Sequence, residues 1–414
     1  MRRFAVLALV LMLSSSGCLG FGDGADKNEE NIEDIIDEID NKIDQEKNST
    51  EGPFSEPVLV QVPYEEGCDN INPLHCMLPF PSTAFLREDL NSLTGYRVNY
   101  TKTTIPGSGT FKQVEIPGLN RLDGMSPSTQ ILTAFDDDPV LAGVANQSTI
   151  EESLMSNHPT VLLNLETGEK LPHWVELDAR TDDKGPTILY IRTLRGLEHN
   201  TPYGVGIAGL TNESGNLLSA SSAFQALIDG NYTDALDVEL RSEEFGKLFD
   251  SLEQIGYERQ NLQAAWKFHT ASTESIIGGM LHMREDALIR LGDEGIGCNV
   301  TSSEDNFGDD NMTFRRVRGT ITTPQYLISP DESRSLMNRD DNGTPIFTKY
   351  SEIPFTLVIP KVLADNNMSG PIVVFGHGFM GTGESPISGG SRAWTQAYNV
   401  SFLATDWYGW SNSD

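Results

Sequence analysis

The spacing of hydrophobic positions changes several times along the chain, and each change marks a different kind of predicted structure. From residue 57 to about 230, short apolar runs alternate with turn-rich segments, which indicates β-strands. Between about 239 and 291, apolar residues such as Phe245 and Leu248 recur at helical spacing. Strand-like runs return from residue 315 onward. The pattern predicts two strand-rich regions separated by a helical segment.

The first strand-rich region is expected to contain a β-sandwich over about 136–229. Runs at 160–165 and 172–178 flank the turn residues 166–169, so we predict that they pair as a hairpin. Two further strands are predicted at residues 187–192 and 202–207. Short strands at this spacing favour an immunoglobulin-like fold.

Two helices are predicted in the segment about 239–291. The first presents its apolar face through Leu252 and Ile255, and the second runs over 273–291 with Ser272 as its N-cap. Residues 264–270 are expected only to connect them. The acidic stretch 292–312 is predicted to be a solvated linker. Its clustered oxygen ligands leave a structural calcium loop open, although the EF-hand spacing is absent.

The second strand-rich region has four apolar runs and one helical segment. The first two runs lie at 317–324 and 353–360, the third begins at Pro371 and the fourth at Ser401. Residues 391–398 between the last two runs have helical texture, and we expect Trp394 and Ala397 on the buried side. The order predicts two parallel strands joined by a helical crossover.

The third run ends abruptly in a glycine-rich loop, Gly376-His377-Gly378-Phe379-Met380-Gly381. The fourth is followed by Asp406-x-x-Gly409-x-Ser411. A strand that runs into His-Gly can turn sharply because glycine lacks a Cβ. A backbone N–H at such a turn is suited to stabilise the oxyanion that develops during acyl transfer.

These motifs carry a resemblance to a known family. Residues 315–414 resemble the first third of an α/β-hydrolase. The upstream part resembles the N-terminal module of the bacterial virulence-factor lipase family, which are exported lipases with an Ig-like region before the hydrolase domain. The matching stretches lie at residues 78–82, 122–127, 166–169, 176–180 and 265–272.

The resemblance implies roles for the loop residues and a division of the chain. The backbone N–H groups of Phe379 and Met380 would form the oxyanion hole. His377, Gly378 and Gly381 would support the loop, and His377 would not be the general base. The implied domains are a lipase N-terminal module over 57–312 and an incomplete α/β-hydrolase domain over 313–414.

The family's catalytic serine lies in a Gly-x-Ser-x-Gly elbow, and that pentapeptide does not occur in the sequence. We therefore expect a C-terminally truncated fragment whose nucleophile, acid and general base lie beyond residue 414, and which is inactive alone. The implied function of the parent is a serine lipase or esterase. Two alternatives stay open: a non-catalytic surface lipoprotein with an adhesion or glycan-binding role, and a peptidase or other acyl hydrolase on the same scaffold.

The N-terminus has the features of an export signal. Residues 1–17 combine a basic start with an apolar run too short to span a bilayer. Small residues before Cys18 resemble a lipobox, so we expect Cys18 to carry lipid and to anchor the protein at the outer face of the cell membrane. An ordinary signal peptide with an incidental cysteine is the alternative. Residues 18–56 are predicted to be an acidic tether.

The net charge limits the expected binding partners, and the cysteine positions limit the expected disulfides. The 414 residues carry a net charge of −31, which disfavours nucleic acid. The expected partners are an acyl ester or lipid substrate and the membrane, and the expected state is a monomer without a cofactor or metal. Cys68 and Cys76 are close enough to form a disulfide, whereas Cys298 has no evident partner.

Sequons of the form Asn-x-Ser/Thr are dense. Chance predicts about four from the composition. The sequence has ten, which favours a glycosylated exterior, and they begin at Asn48, Asn99, Asn146, Asn212, Asn231, Asn299, Asn311, Asn342, Asn367 and Asn399.

Overall fold

The computed structural model describes residues 57–105, 116–179, 185–332, 335–407 and 409–412. The predicted signal peptide, Cys18 and the tether lie outside the described residues. Leu59–Asp414 is one compact unit, rich in β-structure, with several sheets and some helices. Within the described ranges, every helix is too short or too polar to cross a bilayer.

The strands are β1 (Leu59–Val60), β2 (Leu86–Glu88), β3 (Tyr96–Val98), β4 (Ile131–Thr133), β5 (Thr160–Asn164), β6 (His173–Leu177), β7 (Leu189–Thr193), β8 (Pro202–Ala208), β9 (Tyr232–Thr233), β10 (Leu262–His269), β11 (Cys298–Asp305), β12 (Thr313–Gln325), β13 (Lys349–Pro360), β14 (Ile372–Phe375) and β15 (Ser401–Thr405). The helices are α1 (Ile116–Leu119), α2 (Ser222–Asp229), α3 (Leu236–Glu239), α4 (Ser242–Glu253), α5 (Gly279–Leu291), α6 (Lys361–Asp365), α7 (Glu384–Ser388) and α8 (Arg392–Tyr398). Shorter turns of 3-10 helix lie at Thr83–Phe85, Ile150–Leu154 and Arg259–Asn261, and a π-helical turn, Glu274–Gly278, leads into α5.

Two three-stranded antiparallel sheets share one hydrophobic core. Their strand orders are β10-β8-β5 and β4-β7-β6. The core between them contains the buried side chains of Ile131, Leu162, Ile191, Val205 and Trp266, among others. This arrangement buries the alternating apolar positions of both sheets, as a sandwich requires.

The predicted hairpin between the runs at 160–165 and 172–178 is wrong. β5 pairs with β8 and β6 pairs with β7, so the two strands belong to different sheets. The physical reason is that β5 is buried along its whole length, because both of its faces are covered. The contacts near the turn, an isolated bridge between Leu163 and Lys170 and a hydrogen bond from the Leu171 N–H to the Leu162 carbonyl at 2.8 Å, end before β6 begins.

The predicted connection at 264–270 is also wrong, because most of it is strand β10. β10 lies at the edge of the β10-β8-β5 sheet and inserts Trp266 and Phe268 into the shared core. The flanking helix α4 has the expected buried face, which includes Phe245 and Leu248. This face packs on the outer side of the β10-β8-β5 sheet, so that sheet is covered on both sides.

The start of the second predicted helix is confirmed in position. The Ser272 hydroxyl accepts a hydrogen bond from the backbone N–H of Ser275 at 3.0 Å, just before the π-helical turn and α5. A side-chain oxygen in this position satisfies a free N–H of the first turn.

A disulfide between Cys68 and Cys76 is present, and Cys298 is free and exposed. The loop closed by this disulfide is held by a buried ion pair to Arg241, the residue directly before α4. Asp69 accepts a hydrogen bond from the Arg241 guanidinium at 2.6 Å, and the Asp69 carboxylate also accepts one from the Ser82 hydroxyl.

The remaining large sheet has five strands in the order β11-β12-β13-β15-β14. Neighbours are antiparallel except β14 and β15, which are parallel as predicted. The solvated linker predicted over 292–312 is wrong in part, because it contains β11. The sheet therefore begins at Cys298, before residue 313.

Two acidic side chains in this stretch are neutralised by arginines. Asp305 pairs with Arg315 at 2.5 Å, and Asp310 pairs with Arg392 at 2.9 Å. Their carboxylates are therefore directed to separate cationic partners. Among the residues that the structure describes, no group of His, Cys, Asp and Glu is placed to hold a metal ion.

The crossover helix between β14 and β15 is α8, but its predicted buried side is wrong. Trp394 and Ala397 are exposed, and Trp394 stacks on Tyr398 at 5.7 Å between ring centroids. Thr395 is the side chain that α8 buries. The small core on this side of the sheet is filled instead by Val358, Ala404 and Ile387 of α7.

Candidate active site

The predicted oxyanion loop lies where the two parallel strands end. β14 ends at Phe375 and β15 at Thr405, and parallel strands present their carboxyl ends at the same edge of a sheet. The loop after β14 (residues 376–383) and the loop after β15 (residues 406–412) therefore meet. We refer to them as the His-Gly loop and the Asp406 loop.

His377 joins the two loops through both nitrogens of its buried ring. Nε2 accepts a hydrogen bond from the backbone N–H of Trp407 at 3.1 Å. Nδ1 lies 2.8 Å from the carbonyl oxygen of Gly378, to which it donates. This pattern fits a neutral imidazole with its proton on Nδ1. Neither nitrogen is free to take a proton from a nucleophile.

Three further hydrogen bonds join the same loops. The Met380 N–H donates to the Trp410 carbonyl at 2.8 Å, and the Asn412 N–H donates to the Gly381 carbonyl at 2.9 Å. The Asp406 carboxylate accepts a hydrogen bond from the Gly383 N–H at 2.7 Å. The rings of Phe379 and Trp410 also meet edge to face, with 4.8 Å between centroids.

These contacts separate the two predicted oxyanion donors. The prediction that Met380 donates to the oxyanion is wrong, because its N–H already donates to the Trp410 carbonyl and is not available to a substrate. The Phe379 N–H has no acceptor among the described residues. It lies one residue from Gly378, which lines a cavity of about 250 Å³. The other lining residues are His377, Gly381, Thr382, Ser385, Pro386 and Asn412.

The backbone of the His-Gly loop is shaped by close packing. A Cβ on Gly383 would lie 2.7 Å from the carbonyl oxygen of Thr405, so only glycine fits beside β15. Gly378, in contrast, faces open space. The left-handed residue of the loop is Met380, with φ of +54°, a conformation that costs energy for a residue with a side chain.

One residue that positions the site, Glu384, was not singled out from the sequence. Glu384 begins α7 directly after the His-Gly loop and pairs with Arg316 at 3.2 Å and with Arg318. The hydrogen bond from Arg318 lowers the pKa of Glu384, so this carboxyl is ionised at neutral pH. Asp406 was noted as part of a turn, but its link to Gly383 depends on how the crossover places the two loops.

Large apolar side chains are exposed on the two loops that contribute residues to the cavity lining. Phe379 is 69% exposed and Trp407 is 52% exposed, and Met380 and Trp410 are also exposed. Trp407 lies over the backbone of Gly376, where an added Cβ would meet its ring at 3.0 Å. The two loops therefore combine one unengaged backbone N–H with exposed apolar side chains.

Comparisons with known proteins add no family to this description. No protein-family model matches the chain, and no curated protein sequence matches it. The function is consequently argued from the geometry of the site.

Proposed function

We propose that this chain supplies the oxyanion half of a carboxylic ester hydrolase that works through a serine acyl-enzyme and is held by lipid at the cell surface. The observation that carries the proposal is the Phe379 N–H, which has no acceptor among the described residues and directly follows Gly378, a residue that lines an open cavity. A fixed N–H of this kind stabilises the oxyanion of a tetrahedral intermediate.

The topology of the large sheet supports the α/β-hydrolase part of the proposal. Strands β12, β13, β15 and β14 lie side by side in this order, with the relationships expected when an antiparallel pair precedes a helical crossover between parallel strands. The His-Gly loop follows the strand at the sheet edge. In such sheets, substrate sites lie at the carboxyl ends of the parallel strands.

The unpaired edge of β14 supports the proposal that a further strand pairs there and leads to the nucleophile. Ile372, Val373 and Val374 are all exposed, with Val374 at 76%, and within the described residues β14 pairs only with β15. A further parallel strand beside β14 would end next to the His-Gly loop. A serine on the turn after that strand would face the Phe379 N–H, as the nucleophile elbow does in this fold.

The chemistry assigned to these residues is limited to positioning and electrostatics. The Phe379 N–H would donate to the developing oxyanion. His377, Asp406 and Gly383 would hold that N–H in place through the hydrogen bonds between the two loops. The exposed rings of Phe379 and Trp410 would contact the apolar part of the ester.

The test uses the longest natural reading frame that contains these 414 residues, because the proposal assigns the nucleophile to a segment outside them. We expect hydrolysis of p-nitrophenyl esters. Phe379→Pro removes the N–H and should lower kcat/KM by about 10²–10³. Phe379→Ala keeps the N–H, and it should retain more of the activity.

Two results would contradict the proposal. One is the absence of any ester hydrolysis by the longer protein, which would favour a non-catalytic surface lipoprotein. The other is an equal loss of kcat/KM in Phe379→Pro and Phe379→Ala, which would show that the side chain matters and the N–H does not. Circular dichroism of each variant checks that the fold is retained.

A further inference from the structure

Three sequons of the large sheet lie at one edge, opposite the candidate active site. β12, β14 and β15 run in the same direction, because β12 and β15 are each antiparallel to β13 and β14 is parallel to β15. Their starting ends therefore share an edge. The hydroxyl residue of the first sequon, Thr313, is the first residue of β12, and that of the third, Ser401, is the first residue of β15.

The three asparagines of these sequons, Asn311, Asn367 and Asn399, belong to one connected surface. The backbone N–H of Lys361 donates to the Met312 carbonyl at 2.8 Å, so the turn after Asn311 contacts the start of α6. Asn367 follows the end of α6, and its N–H donates to Ala364 at 3.1 Å. The Asn399 carbonyl lies so close to Gly370 that a Cβ there would meet it at 2.5 Å.

All three asparagine side chains are exposed to solvent. Each asparagine is exposed and occupies the left-handed region, with φ of 55° at Asn311, 49° at Asn367 and 55° at Asn399. A residue in this conformation lies at a tight turn. Within the described residues, none of their side-chain Nδ2 atoms donates a hydrogen bond, although the Asn311 Oδ1 accepts one from the Lys361 ammonium group.

The asparagines of the other described sequons also reach the surface, as modification requires. None of their asparagines is buried: Asn99, Asn146, Asn299 and Asn342 are exposed, and Asn212 and Asn231 are half-buried. The Asn212 amide is already engaged, since its Nδ2 donates to Asp137 at 3.1 Å. The three asparagines at the sheet edge therefore combine exposure, an Nδ2 that donates no described hydrogen bond and proximity to one another.

We propose that Asn311, Asn367 and Asn399 carry N-linked glycans that cover the starting edge of the five-stranded sheet and leave the opposite edge, with the His-Gly loop, uncovered. The donor is an oligosaccharide joined through phosphate to a lipid. In the transfer, a bond forms between the asparagine Nδ2 and C1 of the sugar. The bond from C1 to the phosphate oxygen breaks, the amide loses one proton, and the lipid phosphate leaves.

The burial of the sequon hydroxyls sets the order of events. Thr313 and Ser401 are buried, whereas Ser369 of the middle sequon is exposed. An enzyme that reads the hydroxyl at this position cannot reach it in the finished sheet at the first and third sequons. Asn311 and Asn399 are therefore modified before β12 and β15 join the sheet, whereas Asn367 stays open to modification afterwards.

The experiment is glycopeptide mass spectrometry of the protein purified from the cells that naturally make it. We expect glycan-bearing peptides at all three asparagines. Asn366 and Asn306 are the internal controls: Asn366 is the exposed neighbour of Asn367, and Asn306 has a left-handed φ of 54°, but neither is in a sequon. Both should be unmodified.

A matched pair of variants separates glycan loss from misfolding. Ser369→Ala destroys the middle sequon and should remove one glycan from the intact mass, whereas Ser369→Thr preserves the sequon and should keep it. An unmodified peptide at any one of the three asparagines overturns the proposal. Retention of the Asn367 glycan in Ser369→Ala also overturns it.

Discussion

The imidazole of His377 accepts a hydrogen bond from the backbone N–H of Trp407, 30 residues further along the chain, at 3.1 Å. Because Nδ1 is also engaged by Gly378, the ring acts as a clamp between two loops. We expect His377→Ala to destabilise the loops by about 1–3 kcal/mol, since two buried hydrogen bonds are lost. Limited proteolysis should show faster cleavage within residues 376–383. His282→Ala, at an exposed position on α5, should be cleaved like the unmodified protein.

Gly383 should not tolerate a side chain. An alanine Cβ would lie 2.7 Å from the Thr405 carbonyl oxygen, so the loop or β15 must move, at a cost of about 1–3 kcal/mol. Gly390→Ala is the matched control, because its Cβ would enter open space. Thermal unfolding should show a lower midpoint for Gly383→Ala alone. Equal midpoints would mean that the close approach to β15 is absent.

The sandwich should lose stability in acid through a pair of buried histidines. His173 accepts a hydrogen bond from the Thr160 hydroxyl on Nε2, and His158 accepts one from the Ala145 N–H on Nε2, so both rings are held neutral. Burial lowers the pKa of His173 to about 4, and burial also lowers the pKa of His158.

The sign of the pH effect follows from these shifts. The unfolded chain takes up protons near pH 6.5, whereas the folded His173 does so only near 4. Stability is therefore full above 6.5 and is lost as the pH falls toward 4, by about 3 kcal/mol for His173. Urea titrations at several pH values test this. His173→Gln should flatten the dependence, and His199→Gln, at an exposed position, should leave it unchanged.

Breaking the buried pair of Asp69 and Arg241 should be costly. Asp69→Ala leaves the guanidinium with Asp237 at 3.4 Å as its remaining described ion-pair partner, and loss of one member of a buried pair costs about 3–5 kcal/mol. Chemical unfolding measures the change. Lys247→Ala removes an exposed pair with Glu243 on the same helix and should have little effect. Equal losses in both variants would contradict the importance of burial.

The disulfide should contribute through the short loop that it closes. Replacing both Cys68 and Cys76 with serine should lower the free energy of unfolding by about 2.5 kcal/mol, the cost of closing a loop of this length. Cys298→Ser changes a free, exposed thiol and should leave stability unaltered. A reducing agent should reproduce the effect of the double variant and should not destabilise that variant further.

Sequence patterns predicted the parts of the fold that are decided locally. The amphipathic face of α4 and the apolar runs of β12 to β15 follow from the spacing of their own residues. β11 was missed because it is polar and exposed along its whole length, so only its pairing with β12 makes it a strand. The partners of β5 were missed because its neighbour β8 and the helix α4, which covers one face of its sheet, are distant in sequence.

The same distinction holds at the site. The His-Gly motif after an apolar run predicted a turn at this place, whereas the resemblance assigned the oxyanion role to Phe379, and that role stays a prediction. The engagement of Met380 was not predictable, because its acceptor is Trp410 and the distance between them is set by the crossover. The ion pairs of Glu384 were missed for the same reason, since their arginines lie on β12.

The position of β10 in the chain has a consequence for the order of folding. A chain synthesised from its N-terminus releases β4 to β8 before β10, which follows more than fifty residues after β8 begins. Until Trp266 and Phe268 emerge, the space that they fill between the two sheets is vacant, and β8 lacks one neighbour. The sandwich is therefore completed by its last strand, and a chain truncated before His269 lacks part of the strand that fills its core.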